Sequence, residues 1–260
     1  MNNSTWVSVA ETDIGTVRKV NEDDFFDGPQ AHLWCVADGM GGHARGDVAS
    51  QMITKTLKEL SANPSTLSVD SIQTSLIKVN DSLIDLSEQH NGIVGSRVVV
   101  LFFDGKQAHC IWAGDSRIYR LREGKLSRVT RDHSQVEDMV DAGLIRPEEA
   151  ETHPKANVIT RAVGAAEILE LEVKTLDLDS GDQYFLCSDG LNKVMSDSEI
   201  EHALQTMPNK TITERLIEIA LNRKARDNVT VIVVRNQEQV QDTLHETLPL
   251  DATLPFNYSK

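Results

Sequence analysis

Apolar and polar positions alternate in blocks of two kinds along the chain. Short β-rich runs bounded by turn residues read as strands. They include Trp6–Ala10, Leu33–Ala37, Val98–Phe103, Gln107–Trp112, Ile118–Leu121, Lys125–Val129, Leu171–Leu176, Gln183–Ser188 and Val229–Arg235. Longer stretches carry apolar residues at helical spacing. Ala49, Met52, Ile53, Leu57 and Leu60 form one stripe, and Ile72, Leu76, Val79, Leu83 and Leu86 form a second over Val69–Glu88. Stripes of this kind are core faces. Two later helices carry start signals, Ser196-x-x-Glu199 and Thr211-x-x-Glu214, both of which fit a capping box.

Turns at Asp104-Gly105 and Glu123-Gly124 join neighbouring strands as hairpins, which favours antiparallel pairing. Strands in two groups with helices in pairs predict an α+β fold: two mainly antiparallel sheets packed face to face, flanked by helix pairs in an α-β-β-α sandwich. A parallel α/β sheet is the rival arrangement. Residues 134–165 break the pattern, being charged with short helical patches and two prolines, and read as a small inserted subdomain. Residues 236–260 show no period and read as a flexible tail behind a domain of residues 1–235.

Composition narrows the function. The net charge of −14 argues against nucleic acid or an anionic membrane as partner. No apolar run is long enough to span a bilayer, and the N-terminus lacks the regions of a secretory signal. Cys35, Cys110 and Cys187 form no Cys-x-x-Cys pair and each lies in an expected strand, which suggests a reduced, cytoplasmic protein.

The chemistry lies in an acid-tipped strand that occurs twice: Leu33-Trp-Cys-Val-Ala-Asp38-Gly39 and Tyr184-Phe-Leu-Cys-Ser-Asp189-Gly190. Asp115 follows the run 109–114, and Asp227 precedes the run 229–234. Four acids at the ends of neighbouring strands need cations to stay ionised. Carboxylates and carbonyls are hard ligands suited to Mg²⁺ or Mn²⁺. Two such ions about 3.5–4 Å apart can share a water and aim it at phosphorus. Asp38 is the candidate bridge, with the Gly39 carbonyl beside it. Arg18 is the candidate phosphate-binding cation, next to the oxygen ligands of Asn21, Glu22 and Asp23. His43 is the candidate general acid.

Thr12-Asp13-x-Gly15, Arg18-x-x-Asn21-Glu22-Asp23, Ala37-Asp38-Gly39-Met40-Gly41-Gly42-His43, Gly114-Asp115-Ser116-Arg117, Asp132-His133-Ser134, Thr160-Arg161-Ala162-Val163-Gly164, Ser188-Asp189-Gly190-Leu191 and Asp227-Asn228-Val229-Thr230 together resemble the ordered motifs of the metal-dependent phosphatase 2C-like serine/threonine phosphatases, in their short bacterial form. The match runs from about residue 7 to 235. The resemblance implies a Mn²⁺- or Mg²⁺-dependent enzyme that hydrolyses phosphoserine and phosphothreonine in proteins by direct attack of a metal-bridging hydroxide. It implies Asp38 as the ligand shared by two ions, Asp189 and Asp227 as ligands of one, and the Gly39 carbonyl as a ligand of the other, with Glu22 and Asp23 around its waters. Asp115 with Asp189 is implied to hold a third, weaker ion. Arg18 is implied as the phosphate-binding arginine, His43 lies near the general acid, and residues 134–165 resemble a mobile flap. An opposing serine/threonine kinase in the same cell is implied as well.

Two functional alternatives stand beside this reading: a binding module that keeps the fold without the chemistry, and a hydrolase of another phosphoester. A cysteine phosphatase is excluded, because no cysteine is followed by arginine at the Cys-x5-Arg spacing. One departure stands out. Where the family carries Gly-Thr-Thr, this chain reads Gly95-Ser96-Arg97. Arg97 reads as an altered partner for a buried acid or a side chain that snorkels out, with a phosphate contact as the second reading. In the tail, Thr247-Leu248-Pro249-Leu250 and Thr253 suggest phosphorylation sites for a phosphothreonine-binding domain.

Overall fold

The computed structural model describes residues 5–41, 45–90, 92–150 and 152–237. Ten strands and six α-helices make up this part. In chain order they are β1 (Trp6–Asp13), β2 (Asp23–Gly28), β3 (Leu33–Gly41), α1 (Gly46–Ser61), α2 (Val69–His90), β4 (Val94–Phe103), β5 (Gln107–Ala113), β6 (Arg117–Arg122) and β7 (Lys125–Arg128). There follow α3 (Gln135–Asp141), β8 (Glu172–Asp177), β9 (Gln183–Cys187), α4 (Asp189–Asn192), α5 (Asp197–Thr206), α6 (Ile212–Asn222) and β10 (Val229–Asn236).

Side-chain alternation along each strand builds the layers. In β3, Leu33, Cys35 and Ala37 face one way and pack on Ile53 and Leu57 of α1 and Leu76 and Leu83 of α2. Trp34 and Val36 face the other way, into a layer shared with Val99, Leu101, Trp112, Tyr184, Leu186 and Ile232. A third cluster joins Phe185, Cys187 and Val231 to Leu204 of α5 and Leu216 of α6. The result is helix pair, sheet, sheet, helix pair. One sheet has the order β1-β10-β9-β6-β7 and the other β2-β3-β4-β5-β8. Every strand pairing is antiparallel, so the parallel α/β alternative is discarded.

Four local expectations are corrected. Strand β2 was not legible, because Asp23-Asp-Phe-Phe-Asp-Gly28 reads as acidic turn residues; it forms by pairing with β3, Asp23 opposite Asp38. Asp38 is not at a strand tip, since β3 runs on to Gly41. Thr211 precedes α6 but its side chain makes no cap hydrogen bond. Its ψ of −6° is already near-helical, and Pro208 O accepts from both Thr211 and Ile212 N–H. By contrast, Ser196 N–H donates to Glu199 Oε2 as a capping box requires. Finally, β10 extends to Asn236, so the first residue read as tail belongs to the sheet, and the second, Gln237, donates its N–H to Thr5 O just before β1. The tail from 238 onward lies outside the described residues.

Residues 134–165 hold α3, a short 3-10 turn at Pro147–Glu149 and irregular chain. A bridge between Ser134 and Ile159 closes the segment on itself, and one between Ser96 and Val163 ties its far end to β4. The three cysteines are free and buried. No helix among the described residues is long and apolar enough to cross a membrane.

Candidate metal and phosphate site

The parity that builds the core also builds the site. Asp38 continues the Trp34–Val36 face of β3 and so points between the sheets. Arg97 continues the Val99–Leu101 face of β4 and points the same way, and the two residues are direct cross-strand partners. Asp115 follows β5 at the same end of that sheet. Asp189 opens α4 just after β9, and Asp227 lies just before β10 in the opposite sheet. The site therefore sits at one mouth of the inter-sheet layer, with acids from both sheets.

Arg97 occupies its centre. Its Nη1 lies 3.0 Å from Asp38 Oδ2 and 3.2 Å from Asp115 Oδ1, and it also bonds Asp189 Oδ2. Asp189 Oδ2 takes a second cation, Lys193 Nζ, at 2.6 Å. All four central residues are buried, with Asp189 at 2%, Asp38 at 5%, Asp115 at 7% and Arg97 at 9% exposure. The snorkelling alternative for Arg97 is thereby overturned: it partners buried acids. Among the described residues, no three His, Cys, Asp or Glu side chains converge tightly enough to hold an ion by themselves.

The electrostatics divide the cluster. Burial drives the Asp38 carboxyl well above its usual range, and the Arg97 charge only partly counters it. Asp115 is raised for the same reason. Burial pushes Asp23 up to about 6, although Thr230 Oγ1 donates to it at 2.7 Å. Asp189 goes the other way: burial opposes its charge, but Arg97 and Lys193 together hold its carboxyl below the usual value. One guanidinium shared among several carboxylates leaves all but Asp189 short of positive charge.

The remaining candidates have the following surroundings. Glu22 Oε1 accepts from Gly46 N–H at the start of α1, at 3.2 Å, a favourable place for an anion. The Gly39 N–H donates to Glu22 O at 3.0 Å. A Cβ on Gly39 would lie 2.1 Å from Gly46 O and 2.5 Å from Glu22 O, so only glycine lets these segments meet. Arg18 forks onto Asp227, with Nε 2.8 Å from Oδ1 and Nη2 3.0 Å from Oδ2, and remains close to half exposed. His43 lies outside the described residues.

Asn228 matters more than the sequence reading allowed. Buried at 3% exposure, it donates to Ile14 O at 2.9 Å and Val20 O at 3.1 Å, and accepts from Glu22 N–H at 2.9 Å. One amide thus fixes the loop that carries Arg18 and Glu22. The signal was its place beside Asp227 in an Asp-Asn-Val-Thr string. Lys193 gave no signal, since only the short α4 turn brings it back onto Asp189. Arg117 grips Asp132 through Nε at 3.0 Å and Nη2 at 2.7 Å, and so anchors the start of the 134–165 segment. A cavity of about 620 Å³ opens from Asp115, Asp189 and Lys193 toward Ser134, Pro147 and His153 of that segment.

The donor set suits hard divalent ions on one side. Asp38, the Gly39 carbonyl, Glu22, Asp23 and Asp227 all offer hard oxygen donors. Asp189 Oδ1 is buried and has no hydrogen-bond partner, a cost that a cation would remove.

Comparison with known proteins gives a consistent result. The model of the protein phosphatase 2C family matches residues 16–230. The serine/threonine protein phosphatase PstP of Mycobacterium tuberculosis is 38% identical over 228 residues, 86% of this chain, and the chain spans only 44% of that protein's length. The protein phosphatase PhpP of Streptococcus pneumoniae is 32% identical over 238 residues, covering 88% of this chain and 96% of that one. Among solved structures, PppA of Pseudomonas aeruginosa, described as a key regulatory component of T6SS, superposes with a TM-score of 0.82 at 43% identity, over 90% of this chain and 98% of that one. The PstP catalytic domain in complex with two manganese ions gives a TM-score of 0.80 at 36% identity, over 88% and 97%.

Proposed function

Because this chain belongs to the protein phosphatase 2C family, we propose that it is a Mn²⁺- or Mg²⁺-dependent phosphatase of phosphoserine and phosphothreonine in proteins. The observation that supports this reading is the convergence of buried carboxylates from both sheets, Asp38, Asp115 and Asp189, on Arg97, with burial driving Asp38 well above its usual range and Arg18 paired with Asp227. Asp38, Gly39 O, Glu22, Asp23, Asp189 and Asp227 would hold two ions. When bound, such ions supply an activated solvent nucleophile and neutralise charge at phosphorus.

The protein's own groups do the rest. Arg18 presents a planar fork of N–H donors to the phosphoryl oxygens, once it is released from Asp227. Asn228 holds the Arg18 loop in register. The cavity beside the 134–165 segment is roomy enough for a phosphorylated side chain and its neighbours. His43 remains the candidate proton donor to the leaving oxygen. Residues 1–235 form the catalytic domain in this reading, with 134–165 as its flap. The cell is expected to hold an opposing kinase, and three buried free thiols favour the cytoplasm.

Phosphate release from a phosphothreonine peptide tests the proposal. Release requires Mn²⁺ or Mg²⁺, stops with EDTA and falls by about 10³-fold in Asp38→Ala. Manganese uptake without turnover would point instead to a binding module. Turnover of small phosphoesters but not of phosphopeptides would remove proteins as the substrate class.

A further inference from the structure

The resemblance assigns a third ion to Asp115 and Asp189, and the side chains there do not fit one. We propose that Arg97 and Lys193 take the place of that ion, so that the chain holds two divalent cations and excludes a third. The proposal rests on the two-ion reading above.

The first argument is occupancy. Arg97 Nη1 bonds Asp115 Oδ1 and Asp189 Oδ2 at once, and Lys193 Nζ shares the same Asp189 oxygen. A divalent ion between Asp115 and Asp189 would need those oxygens and would face two unit positive charges at close range in a buried setting. The second argument is construction. Gly114 has φ +122°, and a Cβ there would lie 2.6 Å from both Cβ and Cγ of Arg97. The chain thus leaves a side-chain-free passage that admits the arginine stem. The cross-strand register then sets its head against Asp38. The third argument is what remains. Asp189 Oδ1 is buried and unpartnered, so one oxygen of Asp189 is still available for a cation. Asp227 and the Gly39 carbonyl are not engaged by Arg97 either. On the Asp38–Gly39–Asp227 side Arg97 reaches only Asp38, at 3.0 Å from Oδ2, and the half-exposed Arg18 holds Asp227, whereas on the Asp115 side Arg97 and Lys193 together hold the oxygens that an ion would need.

Equilibrium dialysis of the full chain against millimolar manganese, with bound metal counted by mass spectrometry, tests this without an activity assay. Wild type is expected to saturate at two ions, and the double variant Arg97→Thr/Lys193→Ala at three. Thermal melts give a second readout: with EDTA the Arg97→Thr chain melts well below wild type, and manganese closes most of that gap. If Arg97→Thr does not fold in EDTA, Lys193→Gln alone is dialysed, and stronger retention of manganese than in wild type is expected at the same free concentration. Three ions in wild type, or no gain of metal in the variants, overturns the proposal and leaves the phosphatase reading intact. Absence of manganese from every form overturns both.

Discussion

Substituting Gly114 by alanine probes how the centre of the site is assembled. Two separate costs meet at this residue. A φ of +122° is hostile to any residue with a Cβ, and holding one there costs about 1–3 kcal/mol. The new methyl would also sit 2.6 Å from Cβ and Cγ of Arg97, an overpacking that costs about 1–3 kcal/mol. The single variant should therefore lose about 4 kcal/mol, a large part of the roughly 5–15 kcal/mol of a typical domain. The two costs separate in a double-mutant cycle with Arg97→Gly, which removes both clashing atoms. In that background Gly114→Ala should cost only the backbone share, giving a coupling of about 1–3 kcal/mol. Urea melts of the four proteins in EDTA, with sucrose present to keep the weakest folded, measure it. Additivity within about 0.5 kcal/mol would refute the claim that the Arg97 stem lies across Gly114.

Three further outcomes are expected. Asn228→Ala should destabilise the chain by about 2–3 kcal/mol through three lost hydrogen bonds, and should speed hydrogen exchange at the Glu22 amide, which loses its acceptor; unchanged exchange there would count against its positioning role. Arg18→Ala should lower kcat/KM for phosphopeptides by one to two decades, about 1.5–3 kcal/mol, and weaken inhibition by inorganic phosphate, with Arg18→Lys restoring little of either. Glu199, paired with Arg223, has its carboxyl pulled down to about 2; its stabilisation is therefore complete above the ordinary glutamate value and is lost as pH falls from about 4.5 toward 2. Screening at this half-buried site limits the effect to about 1 kcal/mol, so Glu199→Gln should flatten the acid limb of a stability-against-pH curve by that amount.

How much of this was readable in the residues depends on what fixed each feature. The layers were legible because Leu33, Cys35 and Ala37 alternate with Trp34 and Val36, and each set needs its own apolar partner. The acids were legible as a group because strand ends concentrate them. What could not be read was their mutual arrangement. Strand β2 exists through pairing, and no local apolar pattern announces it. Thr211 has the spacing of a capping box, yet the turn after Pro208 already takes up the Thr211 N–H that Glu214 would have accepted. Arg97 was visible as an anomaly, but its three-way contact follows from a register between strands sixty residues apart in the chain, and a linear pattern carries no such information.

The acids of one sheet and those of the other meet across the seam between them, and this has a consequence well away from the chemistry. Trp34 and Trp112 of one sheet pack with Tyr184 of the other in the layer between them, so the fit of these rings bears on the spacing of the carboxylates. Trimming a ring deep in that layer should therefore detune the distant mouth without touching any of its residues. Turnover becomes a gauge of interior alignment, sensitive to displacements too small to unfold the chain.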